Sequence, residues 1–481
     1  MSFISFIYLI ILYFQVNNDD RLIFVMIHFR HGARAPQHFL DTENYLDFIK
    51  QKWENPGELT GVGQRSHYLL GIRNRIKYVN EKRFLSKKFD PHEILIYSSP
   101  FNRTMLSVAA QLQGLYPQNK GLGDNITDNQ IDVSKPQVSV DYEDVEEEIK
   151  NLNRSALPYS MVLAPVRMIN NNEAKITLYD IPPCTKKRDE IKTKHSQTID
   201  TLKNISKEFN ENFGEKLNKF YEEKEKKEYD LWFIDNFCDA LISSYTHKYN
   251  MSELKKTELD PEVLVDYCFE YVKLNFRDWI NGDKEHVLAH LESSKMMKEL
   301  IHYMGERITA DIKGEDLKKK YDDYSKPKMM MISGHDSTVS CYQIFLLNAL
   351  GLNIIDNYQY PKFSAQIAFE VTTNKTITEE KTEDDYLISY YFNDELILNI
   401  TFPEFKNKIK PHIWSDKKIN EFCGFEKDDD DDDDSNKIFL IVFISTTALF
   451  LFTTICLTIR LFKLKNRDTS IYDSPLMNKS D

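Results

Sequence analysis

The chain has 481 residues, 41% of them hydrophobic, enough for a large core and for two or three structural units. Its 75 acidic residues outnumber 62 Lys and Arg, the formal net charge is −13, and no basic stripe is visible. That balance excludes general nucleic-acid binding and makes any anion site local, built from a few convergent arginines.

Phe3–Phe14 is an apolar run of signal-peptide length, too short for a comfortable membrane span, and it predicts a secretory signal over 1–18. Arg21–Phe29 ("RLIFVMIHF"), Glu93–Ser99 and Lys328–Gly334 are short, nearly continuous apolar runs. They predict central strands buried on both faces. Between these runs, "LTGVGQRSHYLLGIRNRIKYV" after the first and "RTMLSVAAQLQGLY" after the second space apolar residues three and four apart, as helices do. From 144 to 324 the pattern is Lys/Glu-rich and helical, which predicts a helical insertion between two parts of one α/β domain. "SAQIAFEV" and "DYLISYYFNDELILNITF" alternate better and predict antiparallel edge strands or a hairpin.

The acidic run Asp428–Asp434 predicts an unfolded stalk over 427–437. Ile438–Ile459 carries no charge and is followed by Arg460, Lys463, Lys465 and Arg467. This pattern predicts a transmembrane helix over 438–459 and a cytosolic tail over 460–481. The expected protein is single-pass type I, anchored in the membrane of a lysosome or vacuole or at the cell surface. Cysteines outside the span then face an oxidising compartment, where disulfides form. Asn-x-Ser/Thr sequons begin at Asn125, Asn153, Asn204, Asn250, Asn374 and Asn399, which fits a glycosylated surface. Asn102 also fits the pattern, but it adjoins Arg103, where a glycan would obstruct the site described next.

Three polar clusters each follow a predicted buried strand. They are Arg30-His31-Gly32-Ala33-Arg34-Ala35-Pro36, Ser98-Ser99-Pro100-Phe101-Asn102-Arg103-Thr104 and Ser333-Gly334-His335-Asp336-Ser337-Thr338. Ligands of open α/β sheets bind outside the carboxyl ends of the strands, so the three clusters are expected to converge on one edge. The chemistry suits a phosphate. Guanidinium groups bind phosphate bidentately, and three of them match the three equatorial oxygens of a phosphoryl group in transfer. A histidine between two arginines is more easily held neutral, hence nucleophilic at acid pH. Asp336 is a candidate acid for the leaving oxygen.

"RHGARAP" resembles the RHGxRxP signature of the histidine acid phosphatases, "SGHDST" resembles their HD signature, and "SSPFNRT" the segment carrying their third phosphate-binding arginine. The resemblance runs from about Arg21 to Cys423. It implies a phosphoglycerate mutase-like α/β core with a mixed central sheet at 19–143 and 325–426, and a helical cap insertion at 144–324. It implies His31 as the nucleophile that forms a phosphohistidine, Arg30, Arg34 and Arg103 as the phosphate clamp with His335 as a further donor, and Asp336 as the proton donor. The substrate class is small-molecule phosphomonoesters, with no cofactor and no metal required, and a homodimer is left open. Cys184 and Cys423 match a family disulfide. Cys238 matches a half-cystine whose usual partner position, near Ser364–Ile367, has no cysteine here; Cys268, Cys341 or no partner at all are its alternatives. Ala33 stands where many animal acid phosphatases carry an acid, which leaves the substrate open.

Two rival readings remain: a type I surface protein that kept the fold and binds ligands without turnover, and a mutase. The intact set of six site residues counts against the first, the secretory pattern and the HD motif against the second. Elsewhere the bland readings win. His28 reads as a packed strand histidine and His286 with His290 as a surface pair rather than metal ligands, since no third ligand is evident. His38 and His67 read as structural.

Overall fold

The computed structural model describes residues 20–37, 53, 55–134, 143–168, 187, 190, 196–223, 226–281, 286–314 and 327–424. By packing, the chain divides into two units, 1–419 and 420–481. The fold described below is that of the first.

Strand β1 (Arg21–Arg30) runs up the middle of a seven-stranded mixed sheet. It is followed by helix α1 (Gly61–Asn74) with a π-helical extension over Arg75–Glu81, strand β2 (Ile94–Ser98) and helix α2 (Asn102–Leu115). The insertion contributes a two-residue strand β3 (Arg167–Met168) and helices α3 (Ser196–Phe209), α4 (Leu231–Thr246), α5 (Pro261–Asn281) and α6 (Val287–Ile312). The chain then returns to the sheet with β4 (Met329–Gly334), α7 (Asp336–Ala349), β5 (Gln366–Thr373), β6 (Leu387–Phe392), β7 (Glu395–Thr401) and α8 (Phe402–Ile409).

The sheet order is β3-β2-β4-β1-β5-β6-β7. The β3, β2, β4 and β1 half is parallel, while β5, β6 and β7 run antiparallel to their neighbours. This division follows the side-chain pattern. β2, β4 and the body of β1 are apolar on both faces because helices cover both; β7 stands at an edge and is only half buried. Along β1, Phe24 and Met26 face a cluster built with α6, α7 and α8. Val25, Ile27 and Phe29 face the opposite one, built with α2 and the π-helical turn. A bulge between Leu22 and Phe24 resets the alternation at the start of the strand. Helix α6 belongs by pattern to the insertion, yet it packs Met296, Met297, Leu300 and Met304 into the same cluster as β1. A separate cluster joins α3, α4 and α5 around Phe237, Leu241, Leu264 and Tyr271.

Two expectations change. The expected fold class joined this core to a C-terminal membrane-spanning helix. It is corrected to the α/β core with its mixed sheet, because no described helix is long and apolar enough to cross a membrane. The longest one needed for packing, α6, carries Glu292, Lys295, Lys298, Glu299, Arg307 and Asp311 along its length. Residues 438–459, the N-terminal run, the acidic stalk, His38 and Cys184 lie outside the described residues. His290, expected at the surface, is buried: its Nδ1 donates to the His412 carbonyl at 2.7 Å and its ring lies parallel to those of His412 and Trp414. Among the described residues no cluster has the makings of a metal site.

Candidate active site

Parallel register brings the three clusters together. Arg30 pairs with Gly334 and Ser98 with Ser333, so the ends of β1, β4 and β2 lie side by side on one edge of the sheet. The chain beyond β1 is stitched on both sides: the His31 N–H donates to the Gly334 carbonyl at 2.9 Å, and the Ser364 N–H to the His31 carbonyl at 3.1 Å. The next residue must be glycine. A Cβ on Gly32 would fall 2.6 Å from the Gly63 carbonyl oxygen, where the first turn of α1 presses on the loop.

His31 is 1% exposed. Its Nδ1 lies 2.9 Å from the Gly32 carbonyl, which can only accept; Nδ1 therefore carries the proton and Nε2 the lone pair. Burial, then the charges of Arg30 and Arg34, hold the imidazole pKa well below its ordinary value, so the ring stays neutral in acid. His335 sits at the N-cap of α7 with its ring 5.6 Å from that of His31, and its Nε2 lies 2.9 Å from Ser99 Oγ. Burial first, then Arg103, pushes its pKa down to about 3.

The arginines surround this pair with different partners. Arg30 donates from Nη1 to Tyr360 Oη at 3.1 Å and to the Pro361 carbonyl at 2.9 Å, and its Nη2 lies 2.6 Å from Asp336 Oδ2. Arg34 makes a forked pair with Asp239 at 3.1 and 2.9 Å and donates from Nη1 to the Ala35 carbonyl. Arg103, in the first turn of α2, lies over the Phe101 ring at 4.6 Å. Burial and then the nearby charge of Arg34 push its pKa down to about 10, so it too remains charged in acid. Phe363 underlies the cluster: the guanidinium carbons of Arg30 and Arg34 lie 4.3 and 5.7 Å from its ring centre. All three arginines share one property. Each buries its Nε–H with no hydrogen-bond partner among the described residues.

Asp336, at the start of α7, accepts from its neighbour Ser337 N–H and from Tyr360 Oη at 3.1 Å. Burial raises its pKa, but Arg30, Arg34 and His335 outweigh burial and leave it lowered. In this state the carboxyl is ionised.

All six sequence-predicted residues thus stand at one edge of the sheet. Pattern missed Asp239, Tyr360 and Phe363. A signal for Asp239 existed: it is a carboxylate flanked by the fully buried Phe237, Cys238, Ala240 and Leu241. Tyr360 and Phe363 lie in an irregular loop with no periodicity to mark them. Of the cysteines, Cys238 pairs with Cys268, joining α4 to α5, and Cys341 is buried in the core. Cys423 is disulfide-bonded.

The chain belongs to branch 2 of the histidine phosphatase superfamily, whose profile matches residues 21–393. Among curated proteins it is 38% identical over 97 residues to the lysosomal acid phosphatase of Xenopus laevis, covering 20% of this chain and 21% of the relative. It is 31% identical over 114 residues to human prostatic acid phosphatase, covering 23% of this chain and 28% of that one. The matched stretch is therefore under a third of either relative's length. Among solved structures, the Hafnia alvei phytase in complex with myo-inositol hexakis sulphate aligns with a TM-score of 0.50 at 10% identity, over 85% of this chain and 99% of that one. That likeness shows the shared fold.

Proposed function

We propose that the protein is an acid phosphatase that hydrolyses phosphomonoesters through a phosphohistidine. The observation that carries this reading is the set of three buried, unpartnered guanidinium Nε–H groups around a neutral imidazole whose Nε2 holds the lone pair. Buried donors without acceptors are costly, and a phosphoryl group supplies the acceptors.

The chemistry follows from those positions. Arg30, Arg34 and Arg103 bind the phosphate oxygens, and His335 is the expected further donor, its Nε2 shared with Ser99 Oγ in the free site. His31 Nε2 attacks phosphorus, the ester P–O bond breaks, and Asp336 delivers its proton to the departing oxygen. Water then attacks the phosphohistidine, giving its proton to the Asp336 carboxylate, and the P–N bond breaks to release inorganic phosphate and restore His31. The lowered pKa of Asp336 in the free site fits this role. A bound phosphate neutralises Arg30 and Arg34, the very groups that hold the carboxyl ionised, and sets a negative charge beside it. Binding thus raises the Asp336 pKa and arms it as an acid.

The relatives' names favour a lysosomal or extracellular site of action, and the Cys238–Cys268 bond suits an oxidising lumen. A Cys184–Cys423 bond belongs to the same proposal. Asn125, Asn153, Asn204, Asn250 and Asn374 are exposed and open to glycans, which an endoglycosidase mobility shift tests.

The decisive assay is turnover of an aryl phosphate at acid pH with chelator present, together with trapping of labelled phosphoenzyme by an alkaline quench, in which a phosphohistidine survives. Wild type turns over and labels; His31→Ala loses both, by roughly 10⁴-fold or more in rate. A labelled His31→Ala protein would refute the nucleophile assignment.

A further inference from the structure

We infer that Asp239, carried by the insertion, is a positioning residue for Arg34: it fixes which edge of the guanidinium is offered to phosphate. The inference rests on the phosphatase reading and adds to it a residue outside the three strand-end clusters.

The argument is a count of donors. A guanidinium has five N–H groups. On Arg34, the two of Nη1 go to the Ala35 carbonyl and Asp239 Oδ2, and one of Nη2 goes to Asp239 Oδ1. What remains is the side-on edge, formed by Nε–H and the second hydrogen of Nη2. Nε is the atom that is buried without a partner. Asp239 therefore occupies the end-on fork and leaves the side-on fork, two parallel donors, for two phosphate oxygens. With Asp239 removed, the Arg34 guanidinium keeps among the described residues one hydrogen bond, to the carbonyl of its own neighbour, and its weaker contact with the Phe363 ring, and its fork is freer to rotate.

Asp239 is itself held firmly. Its Oδ2 also accepts the Gln37 N–H at 2.7 Å, so one carboxylate grips both Arg34 and the loop beyond it. The preceding residue, Cys238, is disulfide-bonded to Cys268 of α5. Two turns further on, His247 at the C-cap of α4 makes a second connection toward this segment. Its Nδ1 donates to the Ser243 carbonyl at 2.7 Å, which leaves Nε2 to accept from Thr60 Oγ1, also at 2.7 Å. Thr60 caps α1, and its N–H donates to the Ala33 carbonyl at 3.1 Å. Helix α4 thus clasps the segment around Ala33–Gln37 at two points, and Asp239 is the point that reaches the site.

A competing role is possible for any carboxylate beside a phosphate-binding arginine: it could simply act as a rival anion that phosphate displaces. The two roles differ in sign. If Asp239 positions Arg34, its loss weakens phosphate binding; if it competes, its loss tightens binding.

The test uses the full chain and measures kcat and KM on an aryl phosphate, the inhibition constant of inorganic phosphate, and the thermal midpoint. The variants are Asp239→Asn, Asp239→Glu, Arg34→Lys and the Arg34→Lys/Asp239→Asn double. Asp239→Asn is expected to raise KM and the phosphate inhibition constant about tenfold, short of the ~100-fold that a 1 Å misplacement can cost, with kcat changed less. Asp239→Glu, which keeps the charge one methylene further out, gives an intermediate KM and guards against a misfolded amide variant. In the Arg34→Lys background, Asp239→Asn adds nothing further. Unchanged or tighter phosphate inhibition overturns the inference. So does a lowered thermal midpoint with KM unmoved, or an equal penalty in both backgrounds. A wild-type protein that neither turns over aryl phosphate nor binds phosphate would overturn the phosphatase reading itself, a result distinct from an active wild type with indifferent Asp239 variants.

Discussion

Arg30 and Arg34 flank the same histidine four residues apart, yet they are held by different parts of the molecule. Arg30 ends β1, and its partners Asp336, Tyr360 and Pro361 all come from the returning core segment. Arg34 lies beyond the strand, and its carboxylate partner comes from a helix of the insertion. One arginine is set by sheet register, the other by how the insertion packs. The core half of the site is therefore built into the fold, whereas the second half can be tuned by changes in the insertion without touching the strand ends.

The sharpest way to break this contrast is to delete each arginine in turn. Arg30→Ala is expected to cost about 10³-fold in kcat/KM, Arg34→Ala nearer 10²-fold, within the range for losing a charged donor at a transition state. The asymmetry arises because Arg30 also balances Asp336. Its removal leaves that carboxylate with burial as the dominant influence, so the pKa rises in the free enzyme and the pH profile of kcat/KM moves upward. Arg34→Ala, which removes a charge that makes no direct contact with Asp336, should move the profile the same way but by less. Equal losses with equal profiles would mean that the two halves of the site are not distinct.

A smaller effect isolates Asp336. Asp336→Asn removes the transferable proton and is expected to slow alkyl phosphates about 10²-fold or more, but aryl phosphates with acidic phenols much less. In wild type, kcat falls as pH rises through the Asp336 pKa of the substrate complex, and the variant lacks that limb. Equal slowing of both substrate types would exclude leaving-group protonation by this residue. For stability the sign is opposite to that of a raised group. The lowered Asp336 pKa contributes stability above the ordinary carboxylate value of about 3.9, and that contribution is lost as pH falls through the folded pKa.

The same division separates what the sequence makes legible from what it hides. β1, β2 and β4 announce themselves as apolar runs because both their faces are covered, and each is followed directly by its polar cluster. Strand order then brings the clusters together, and parallel register does so without any side-chain detail. The alternating segments become β5, β6 and β7 for the converse reason, with polar positions tolerated towards the edge. Asp239 was hidden because its role depends on where a whole helix docks, more than two hundred residues from Arg34 in sequence. Helix α6 was misleading in the same way. Its Lys and Glu gave it the composition of the insertion, while its methionine face packs under β1. Composition reports the solvent side of a helix; it does not say which neighbour receives the other side.

His28 tests the quiet end of the comparison, since it shares a strand with Arg30 but has no chemical task. It is fully buried, and neither ring nitrogen has a hydrogen-bond partner among the described residues. Its ring lies against Tyr342 and close under Gly334. Burial, with a smaller contribution from His335, pushes its pKa from 6.5 down to about 3. A lowered histidine pKa contributes its full stability above 6.5 and loses it as pH falls toward 3, because the unfolded chain takes up a proton that the folded chain refuses. By pH 5 that penalty is about 2 kcal/mol. His28→Leu should therefore leave kcat and KM unchanged, alter stability little at pH 7.5, and recover about 2 kcal/mol relative to wild type at pH 5, read from urea unfolding at the two pH values. An unchanged pH dependence would show that the folded protein accommodates a charged His28. A loss of activity would show that the strand supporting Arg30 needs the imidazole after all.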